Sequence, residues 1–507
     1  MVEPLTALAA QGWAALQALA ISPKTALALY LLLQLLAVAL VVDAIARART
    51  TQGAIAWAVA LIAMPLVAVP LYLLFGQRRF YGYVDARRRG DLQIQAIATA
   101  AIAQLSREYR ASSSAAAELG DTAPRQRWQT LEQLASIPAT RANHIELLID
   151  GEATFNAIMA AIESANSYLL VQFYIIRNDR TGRRLQQALI AAAQRGVAVQ
   201  LLYDGIGSWG LSRRFTAALR RAGVKAQPFT TSRFNWRGRF QVNFRNHRKI
   251  VVVDGHTALV GGLNIGDEYA GHHRRLTPWR DTHLKLTGPA VLGVQLSFIE
   301  DWYWVTDRLL PLHWQGAPAA AGEGAGAEVL AIPTGPADEL ESCQLMFLTA
   351  INSAERELLI ATPYFVPDEP VIKALRLAAL RGVRVQIITP QLTDSHWVQL
   401  SSIAHMEECA MPGITFYQYT AGFMHQKVLL ADRQRVLIGT ANLDNRSFRL
   451  NFELTLAVHD PAFSAQVNAM LQQDLGNSQP FNPQAYNQRH WVRRALGRIF
   501  RLLAPLQ

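Results

Sequence analysis

Two long apolar runs near the N-terminus are the first feature of the hydrophobic pattern. Thr25–Val42 and Ala54–Phe75 contain no charged residue. Each is long enough to cross a bilayer core, which takes about 20 apolar residues in a helix. Pro65 and Pro70 lie in the second run, and membrane helices tolerate proline better than soluble ones. The pattern predicts a membrane hairpin within residues 1–79, with one span in each run.

Arginine placement predicts the orientation of this hairpin. Lysine and arginine accumulate on the cytoplasmic side of membrane spans. We therefore expect a multi-pass protein whose N-terminus and large C-terminal part both lie in the cytoplasm. The segment between the runs carries Arg47 and Arg49, and a larger cluster follows the second run: Arg78, Arg79, Arg87, Arg88 and Arg89.

The rest of the chain alternates between helical and strand periodicity. This order is typical of βαβ units and implies a mostly parallel sheet covered by helices. It occurs twice. The first series is predicted as helix Phe155–Ser167, strand Tyr168–Ile176, helix Leu185–Arg195 and strand Val197–Tyr203, and the second as helix Gln344–Ala354, strand Glu357–Thr362, helix Pro370–Arg381 and strand Val383–Ile388.

A segment without periodicity separates the two series. Residues 315–327 are rich in glycine, alanine and proline, so they have little to bury and predict a flexible linker. The predicted architecture is α/β, with a helical connector over 80–144 and two similar domains in tandem at 145–314 and 328–507.

Composition limits the classes of binding partner that are expected. The net charge of +11 favours anionic partners, of which lipid surfaces and nucleic acids are the commonest. Cys343 and Cys409 are the only cysteines and lack the spacing of metal ligands. We therefore expect no zinc or iron–sulfur site.

The strongest motif is doubled. The first half reads H-x-K-x4-D-x6-G-x-x-N, and the second half repeats this spacing without a gap. Two such copies argue strongly against coincidence. The first copy comprises His247, Lys249, Asp254, Gly261 and Asn264, and the second comprises His425, Lys427, Asp432, Gly439 and Asn442.

The spacing within the motif suits phosphoryl transfer. Residues i and i+2 of a strand share a face, so each histidine projects beside its lysine. Two facing copies would surround one pocket with two histidines, two lysines and two asparagines. The lysines and asparagines would stabilise charge on phosphoryl oxygens, one imidazole would attack phosphorus, and the other would act as general acid and base. This chemistry needs no metal.

On this motif the chain resembles the phospholipase D superfamily, and more narrowly the bacterial cardiolipin synthases. The resemblance covers nearly the whole chain. Its supporting strings are LYLLFGQRR, VQFYIIRND, LLYDGIGS, WRDTHLKLTGPAV, FIEDWYW, TPYFVPDEP, FMHQKVLLAD, GTANLDNRSFRLNFE and RLLAPLQ.

The resemblance implies a fold, a cellular location and a reaction. The fold is two tandem phospholipase D-like domains, each a mixed β-sheet flanked by helices, behind a hairpin in the bacterial inner membrane. The catalytic domains face the cytoplasm. The reaction transfers a phosphatidyl group from one phosphatidylglycerol to another through a phosphohistidine, giving cardiolipin and glycerol. An anionic phospholipid and the membrane are the expected partners, without a cofactor, a metal or nucleic acid.

The resemblance also suggests roles for the histidines and their carboxylate partners. His247 is the expected nucleophile and His425 the general acid and base, although the symmetric motif leaves the reverse open. Glu453, in LNFE, matches the family position that bonds the second-half histidine, and Asp281, in WRDT, is its expected first-half counterpart.

Other residues are predicted to support this site. We read Asp254 and Asp432 as structural anchors near the turn rather than proton carriers. Gly262 and Thr440 depart from the family pattern, which often has serine there, so a hydroxyl is kept only in the second half.

Alternatives remain open at the level of sequence. Hydrolysis to phosphatidic acid needs only that water replaces the lipid hydroxyl; a nuclease or a non-catalytic lipid-binding membrane protein fits less well. The two spans argue against a nuclease, and the paired histidines argue against a mere binder. His490–Gln507 predicts a basic amphipathic helix that lies on a membrane surface or packs on the domain.

Overall fold

The structure, a computed structural model, describes most of the chain. The described residues are 23–47, 51–76, 99–111, 123–230, 243–273, 275–316, 326–489 and 491–501. They divide into a small N-terminal unit, described as far as Gly76, and a larger α/β unit. The arginine cluster after the second apolar run, and most of the predicted linker, lie outside the described residues.

The N-terminal unit has one helix long enough to cross a membrane. Helix α1 (Pro23–Arg47) contains a 20-residue apolar stretch, Leu27–Ala46, and is the only such helix in the part of the chain that the structure describes. The second apolar run forms two shorter helices, α2 (Thr51–Ala63) and α3 (Pro65–Phe75). The run breaks at Met64 because Pro65 lacks an N–H and begins a new helix instead of continuing the old one. The prediction of a second continuous span is therefore not met as stated.

Small side chains let these helices approach one another. Ala37 and Ala44 of α1 are buried in one cluster with Leu61 and Ala68 of the second run. The Tyr72 hydroxyl donates a 2.9 Å hydrogen bond to Asp43, which gives this carboxylate a partner inside an apolar unit. The leucines on the outer faces stay exposed, and such a surface suits a lipid environment.

The larger unit is built from many short elements. Its helices are α4 (99–108), α5 (Ala123–Ala135), α6 (Asp150–Ser164), α7 (Arg180–Gln194), α8 (Arg213–Arg221), α9 (Val291–Thr306), α10 (Ser342–Asn352), α11 (Glu369–Leu380), α12 (His396–Cys409), α13 (Asn445–Arg449), α14 (Pro461–Gly476), α15 (Pro483–Arg489) and α16 (Trp491–Arg501). Its strands are β1 (Thr140–Ile149), β2 (Tyr168–Phe173), β3 (Ala198–Asp204), β4 (Lys225–Phe229), β5 (Arg245–Asn246), β6 (Ile250–Val253), β7 (Thr257–Gly261), β8 (Trp279–Arg280), β9 (Thr282–Thr287), β10 (Ala327–Thr334), β11 (Glu357–Ala361), β12 (Arg384–Pro390), β13 (Ile414–Tyr419), β14 (Phe423–Met424), β15 (Val428–Ala431), β16 (Arg435–Gly439), β17 (Asn451–His459) and β18 (Ser478–Phe481).

One ladder of strands runs through both halves. Its order is β18-β13-β12-β11-β15-β16-β17-β10-β1-β9-β7-β6-β2-β3-β4. Strand β1 pairs antiparallel with β9 on one side and with β10 on the other, so the halves join at the centre. The tandem domains predicted from sequence are thus fused into one compact unit, and β1 begins inside the predicted helical connector.

The sheet is mixed rather than mostly parallel. Within the ladder, β2–β3–β4 in the first half and β11–β12–β13 in the second are parallel, and the short strands β5 and β14 pair parallel with β17 and β8. The strands after the two H-x-K triplets, β6 and β15, pair antiparallel with β2 and β11. The first residue of each therefore lies at the edge where β2 or β11 ends, which is where ligands meet parallel sheets.

The predicted helices and strands appear within a few residues of their expected bounds because their apolar patterns are strong. All four residues of β6 are buried. Ile250 and Val252 pack in one core cluster, and Val251 and Val253 pack in another. Helix α9 contributes to the first cluster and helices α6 and α7 to the second, so the sheet is covered on both faces.

Helix α16 packs on α12 with one face and leaves another exposed. A Cβ at Gly497 would lie 2.8 Å from the Leu400 carbonyl, so glycine permits the close approach. Phe500 meets Trp397 with ring centroids 4.5 Å apart. Apolar side chains on the other face stay exposed, namely Val492, Leu496 and Ile499. The predicted amphipathic helix forms and packs on the domain, while its role at a membrane stays a prediction.

Candidate active site

Each motif histidine is fixed by a strand from the other half. The His247 backbone N–H donates to the carbonyl of Phe452 at 2.9 Å, beside the β5–β17 pairing. The His425 N–H donates to the carbonyl of Arg280 at 2.7 Å, beside the β14–β8 pairing. These reciprocal contacts bring the two motifs together at the junction of the halves.

The four motif side chains share one electrostatic environment. His247, Lys249, His425 and Lys427 are all buried. The positive charge of Lys427 helps to lower the pKa values of both His247 and Lys249, after the larger effect of burial. The two motifs are thus close enough for the charge of one to act on the groups of the other.

The carboxylate partners are crossed between the halves. Glu453 holds His247, with its oxygens 2.9 and 3.0 Å from Nδ1. Asp281 holds His425, with Oδ2 at 2.8 Å from Nδ1. The sequence-based pairing of Glu453 with the second-half histidine, and of Asp281 with the first-half one, is therefore wrong. The reason is that β8 and β17 each cross to the other half's motif.

Both carboxylates select the same tautomer. An ionised carboxylate only accepts hydrogen bonds, so the shared proton lies on Nδ1 and leaves Nε2 as the reactive nitrogen. In the second half Nζ of Lys427 lies against the same imidazole, 2.8 Å from Nδ1 and 3.2 Å from Nε2 of His425. Lys249 donates at 2.7 Å to the carbonyl of His247.

Positions 262 and 440 each contact the acid that orients a histidine, but in different ways. Thr440 donates a 2.6 Å hydrogen bond to Glu453. At Gly262 a Cβ would lie 2.1 Å from the Asp281 carboxylate, so any other residue would displace that carboxylate. Further donors to Glu453 are Ser447 and Asn451, each at 3.0 Å.

Burial dominates the protonation of the site. It lowers the pKa of His247 to about 4, against the raising effect of Glu453, and lowers that of His425 to about 4. It also lowers the pKa of Lys249 to about 7 and of Lys427 to about 8. The two imidazoles are therefore neutral at neutral pH, whereas the two lysines titrate near it.

Asp254 and Asp432 lie at the far ends of β6 and β15. Asp254 accepts from the backbone N–H groups of residues 166–168 at 2.7 to 2.9 Å. Asp432 accepts from those of residues 355–357 at 2.8 to 3.2 Å. Each ties the end of the motif strand to the start of the neighbouring strand, which is the anchoring geometry expected of them.

Asn264 and Asn442 are both buried. Asn264 accepts at 3.1 Å from the backbone N–H of Ile175, and Asn442 donates at 3.1 Å to Asp444. Asn442 Oδ1 is buried without a partner among the described residues. Their contact with a phosphate stays a prediction.

Sequence reasoning missed the anchors of the central motif residues. Arg248 and Gln426 point away from their histidines, as strand alternation requires. Arg248 binds buried Asp301 at 2.9 Å, and Gln426 binds buried Asp474 at 2.6 Å. The FIEDWYW string contained the signal for Asp301, but neither aspartate lies in a motif.

It also missed two tyrosines. Tyr174 follows β2 and meets His247 edge-on, with ring centroids 5.0 Å apart; Tyr364 follows β11 and lies 6.2 Å from His425. The strings VQFYIIRND and TPYFVPDEP contain them. Among the described residues no group of three or more histidine, cysteine or acidic side chains is arranged to hold a metal ion.

Comparison with known proteins agrees with this geometry. The family model "Cardiolipin synthase, PLD-like domain" matches residues 158–274 and 347–475, and the model "Phospholipase D-nuclease N-terminal" matches residues 35–77. Cardiolipin synthase A of Pseudomonas entomophila is 44% identical over 94% of this chain and 97% of its own. Cardiolipin synthase A of Pseudomonas aeruginosa is 43% identical over 94% of both chains.

A solved structure supports the fold alone. The phosphatidylserine synthase of Haemophilus influenzae superposes with a TM-score of 0.56 at 17% identity, over 75% of this chain and all of that one. Doubled H-x-K motifs on two fused, similar half-sheets define a phospholipase D-type protein. With 44% identity over nearly its whole length, the chain belongs to the cardiolipin synthase family of that superfamily.

Proposed function

We propose that the protein is a phosphatidyltransferase that makes cardiolipin and glycerol from two molecules of phosphatidylglycerol. The observation that supports this most is the pair of buried H-x-K histidines, each oriented by a carboxylate from the other half. The pair supplies a nucleophile and an acid–base group to one phosphodiester.

In the first step Nε2 of His247 attacks the phosphorus of the donor lipid. The bond from phosphorus to the glycerol oxygen breaks, and His425 gives that oxygen a proton. Because burial lowers the pKa of His247 to about 4, its imidazole is neutral and nucleophilic at neutral pH. An incoming phosphodiester brings negative charge next to His425, which favours the protonated form that this role requires.

In the second step the roles reverse. His425 takes the proton from the terminal hydroxyl of a second phosphatidylglycerol, whose oxygen attacks phosphorus as the phosphorus–nitrogen bond to His247 breaks. Lys249 and Lys427, with Asn264 and Asn442, stabilise the charge on the phosphoryl oxygens. Glu453 and Asp281 hold the two imidazoles in the reactive tautomer.

The membrane arrangement is part of the proposal. We take α1 as one span and α2 with α3, separated by Met64 alone, as a second, so that both ends of the hairpin face the cytoplasm of a bacterial inner membrane. Proline is tolerated inside such a span. The catalytic unit then has access to the leaflet that holds its anionic substrate.

Removal of either imidazole tests the two-histidine mechanism. Purified His247→Ala and His425→Ala variants should each lose at least about a thousandfold in cardiolipin formation from phosphatidylglycerol. The assay includes a chelator, since the reaction is expected to need no metal. Substantial turnover by either variant, or loss of wild-type activity that one specific ion restores, would contradict the mechanism.

A further inference from the structure

The two halves of the active site differ in the charges beside their equivalent tyrosines. The backbone bridges Ile176–Ile265 and Val366–Asp444 follow Tyr174 and Tyr364 at the same distance, so the two tyrosines occupy matching places. Each ring lies edge-on to the histidine of its own half. What surrounds them is not symmetric.

The first-half side is cationic. The guanidinium groups of Arg245 and Arg446 lie near Tyr174 and counteract the rise that burial causes in its pKa. The nearby carboxylate of Asp204 is buried and already accepts hydrogen bonds from the backbone N–H groups of Ile206, Gly207 and Asn246 at 2.7 to 3.0 Å. These three bonds occupy most of its acceptor sites.

The second-half side presents an acceptor instead. The Tyr364 hydroxyl donates a 2.5 Å hydrogen bond to Oδ2 of Asp394. Asp394 is exposed, in the loop that follows β12, and its Oδ1 makes no hydrogen bond within the described residues. The Tyr364 ring that holds it lies 6.2 Å from the His425 ring, so the carboxylate lies on the His425 side of the site, and its charge acts on both His425 and Lys427.

The position of Asp394 matters because the leaving glycerol departs, and the acceptor hydroxyl enters, on the His425 side of the phosphorus. In-line transfer places the leaving glycerol, and later the acceptor hydroxyl, opposite the nucleophile His247. A carboxylate accepts short, strong hydrogen bonds from hydroxyl groups. A head group with several hydroxyls therefore fits this side of the site better than one with a single hydroxyl.

We infer that Asp394, held by Tyr364, forms a subsite for the free hydroxyl groups of a glycerol head group, a vicinal diol. This inference rests on the proposed function, since it assigns a specificity to the same site. The subsite selects glycerol-based alcohols, both as leaving group and as acceptor, over alcohols with a single hydroxyl.

Competition between two acceptors tests the subsite. Full-length protein receives phosphatidylglycerol as donor with equal concentrations of deuterated glycerol and 1-propanol, which has the same carbon chain but one hydroxyl. Both acceptors react with one common intermediate, so the ratio of deuterated phosphatidylglycerol to phosphatidylpropanol reports acceptor choice alone. It does not depend on the rate of the first step or on the folded fraction.

The wild-type protein should favour glycerol, and Asp394→Asn should lower this preference roughly tenfold, as loss of a charge-assisted hydrogen bond predicts. Tyr364→Phe should lower it less, because the carboxylate stays but loses its positioning. Glu146→Gln is the matched control: it removes an exposed carboxylate, paired with Lys285, and should leave the ratio unchanged.

Two results would overturn the inference. An unchanged ratio in Asp394→Asn, with both products reduced equally, would mean that Asp394 acts only through the charge of His425. A larger loss for ethanolamine than for glycerol, in a parallel competition against 1-propanol, would mean that the subsite reads an ammonium group. Absence of any phosphatidyl transfer by the wild-type protein would instead refute the proposed function itself.

Discussion

At the scale of single residues, the pairing of each histidine with an acid from the other half differs most from what the sequence predicted. Each acid belongs to one half of the chain and orients the histidine of the other half. Neither half alone therefore contains both a motif histidine and the acid that orients it. The two imidazoles are equivalent in sequence but not in surroundings, since a glutamate with Thr440 supports one and an aspartate beside Gly262 supports the other.

The crossed pairing predicts where the intermediate accumulates. His425 acts in both steps, so the test uses a donor lipid whose leaving group, p-nitrophenolate, needs no proton. With that donor Asp281→Asn slows mainly the second step and the phosphatidyl group should build up on His247, whereas Glu453→Gln should lower the trapped amount. Each change should slow cardiolipin formation by roughly a hundredfold or more, as loss of an orienting carboxylate does elsewhere. Mass spectrometry of quenched protein locates the group. Its presence on His425 would reverse the assignment of nucleophile and acid.

The lysines predict the pH profile. Burial lowers the pKa of Lys249 to about 7 and of Lys427 to about 8, and only the protonated forms, present below these values, stabilise the phosphoryl oxygens. The value of kcat/KM for phosphatidylglycerol should therefore fall as pH rises through about 7 to 8. The histidines, with pKa values of about 4, stay neutral over that range in the free protein. Initial rates measured from mildly acidic to alkaline pH test this, and a profile that stays flat through the alkaline range would contradict it.

At the scale of elements, each motif strand is held at both ends. Its first residues are fixed by a strand of the other half, and its last by an aspartate that accepts several backbone N–H groups. Burial alone would raise the pKa of Asp432, but hydrogen bonds from Arg356 and Glu357 lower it overall. Its stabilising effect is therefore present at neutral pH and is lost as pH falls through the lowered folded-state pKa.

Removal of this anchor should destabilise the fold. Asp432→Ala leaves three backbone N–H groups without their acceptor, and should lower the free energy of unfolding by about 3 kcal/mol. Glu355→Ala, an exposed side chain at the same turn, is the control and should change it by less than about 0.5 kcal/mol. Thermal unfolding in detergent measures both. Equal effects of the two changes would show that Asp432 is no anchor.

Periodicity predicted most elements, and motif spacing singled out the two H-x-K triplets, because buried strands and the doubled H-x-K pattern are local properties. The pairing of Glu453 and Asp281 was predicted wrongly, since it depends on β8 and β17 crossing between halves. Asp301, Asp474, Tyr174, Tyr364 and Asp394 were missed as functional residues for the same reason: their partners are distant in sequence. The second apolar run was predicted as one continuous span from its number of apolar residues. That number does not show that Pro65 divides the run into two helices.

At the scale of the whole molecule, the protein combines an apolar helical unit with a fused pair of half-sheets. Two phospholipase D-like segments share one strand ladder through β1 and β10, so the active site forms inside a single chain. An apolar anchor in the same chain suits a reaction whose donor and acceptor both reside in a membrane.

The proposed hairpin predicts which residues are accessible from each side of the membrane. A cysteine at Thr51, the first residue of α2, should react with an impermeant maleimide when it is applied from outside the inner membrane. A cysteine at exposed Glu369 should react only after lysis, and the native Cys343 and Cys409 are buried and should give little background. Labelling at Glu369 but not Thr51 in unlysed cells would place the catalytic unit on the other side.

A product balance tests most directly whether the protein makes cardiolipin from two molecules of phosphatidylglycerol. Purified protein is incubated in vesicles with phosphatidylglycerol as the only phospholipid and no added metal, and cardiolipin, glycerol and phosphatidic acid are counted. The proposed reaction gives one glycerol per cardiolipin and little phosphatidic acid, because a lipid hydroxyl takes the phosphatidyl group from the phosphohistidine. Phosphatidic acid without cardiolipin would mean that water is the acceptor, and the protein would then be a hydrolase.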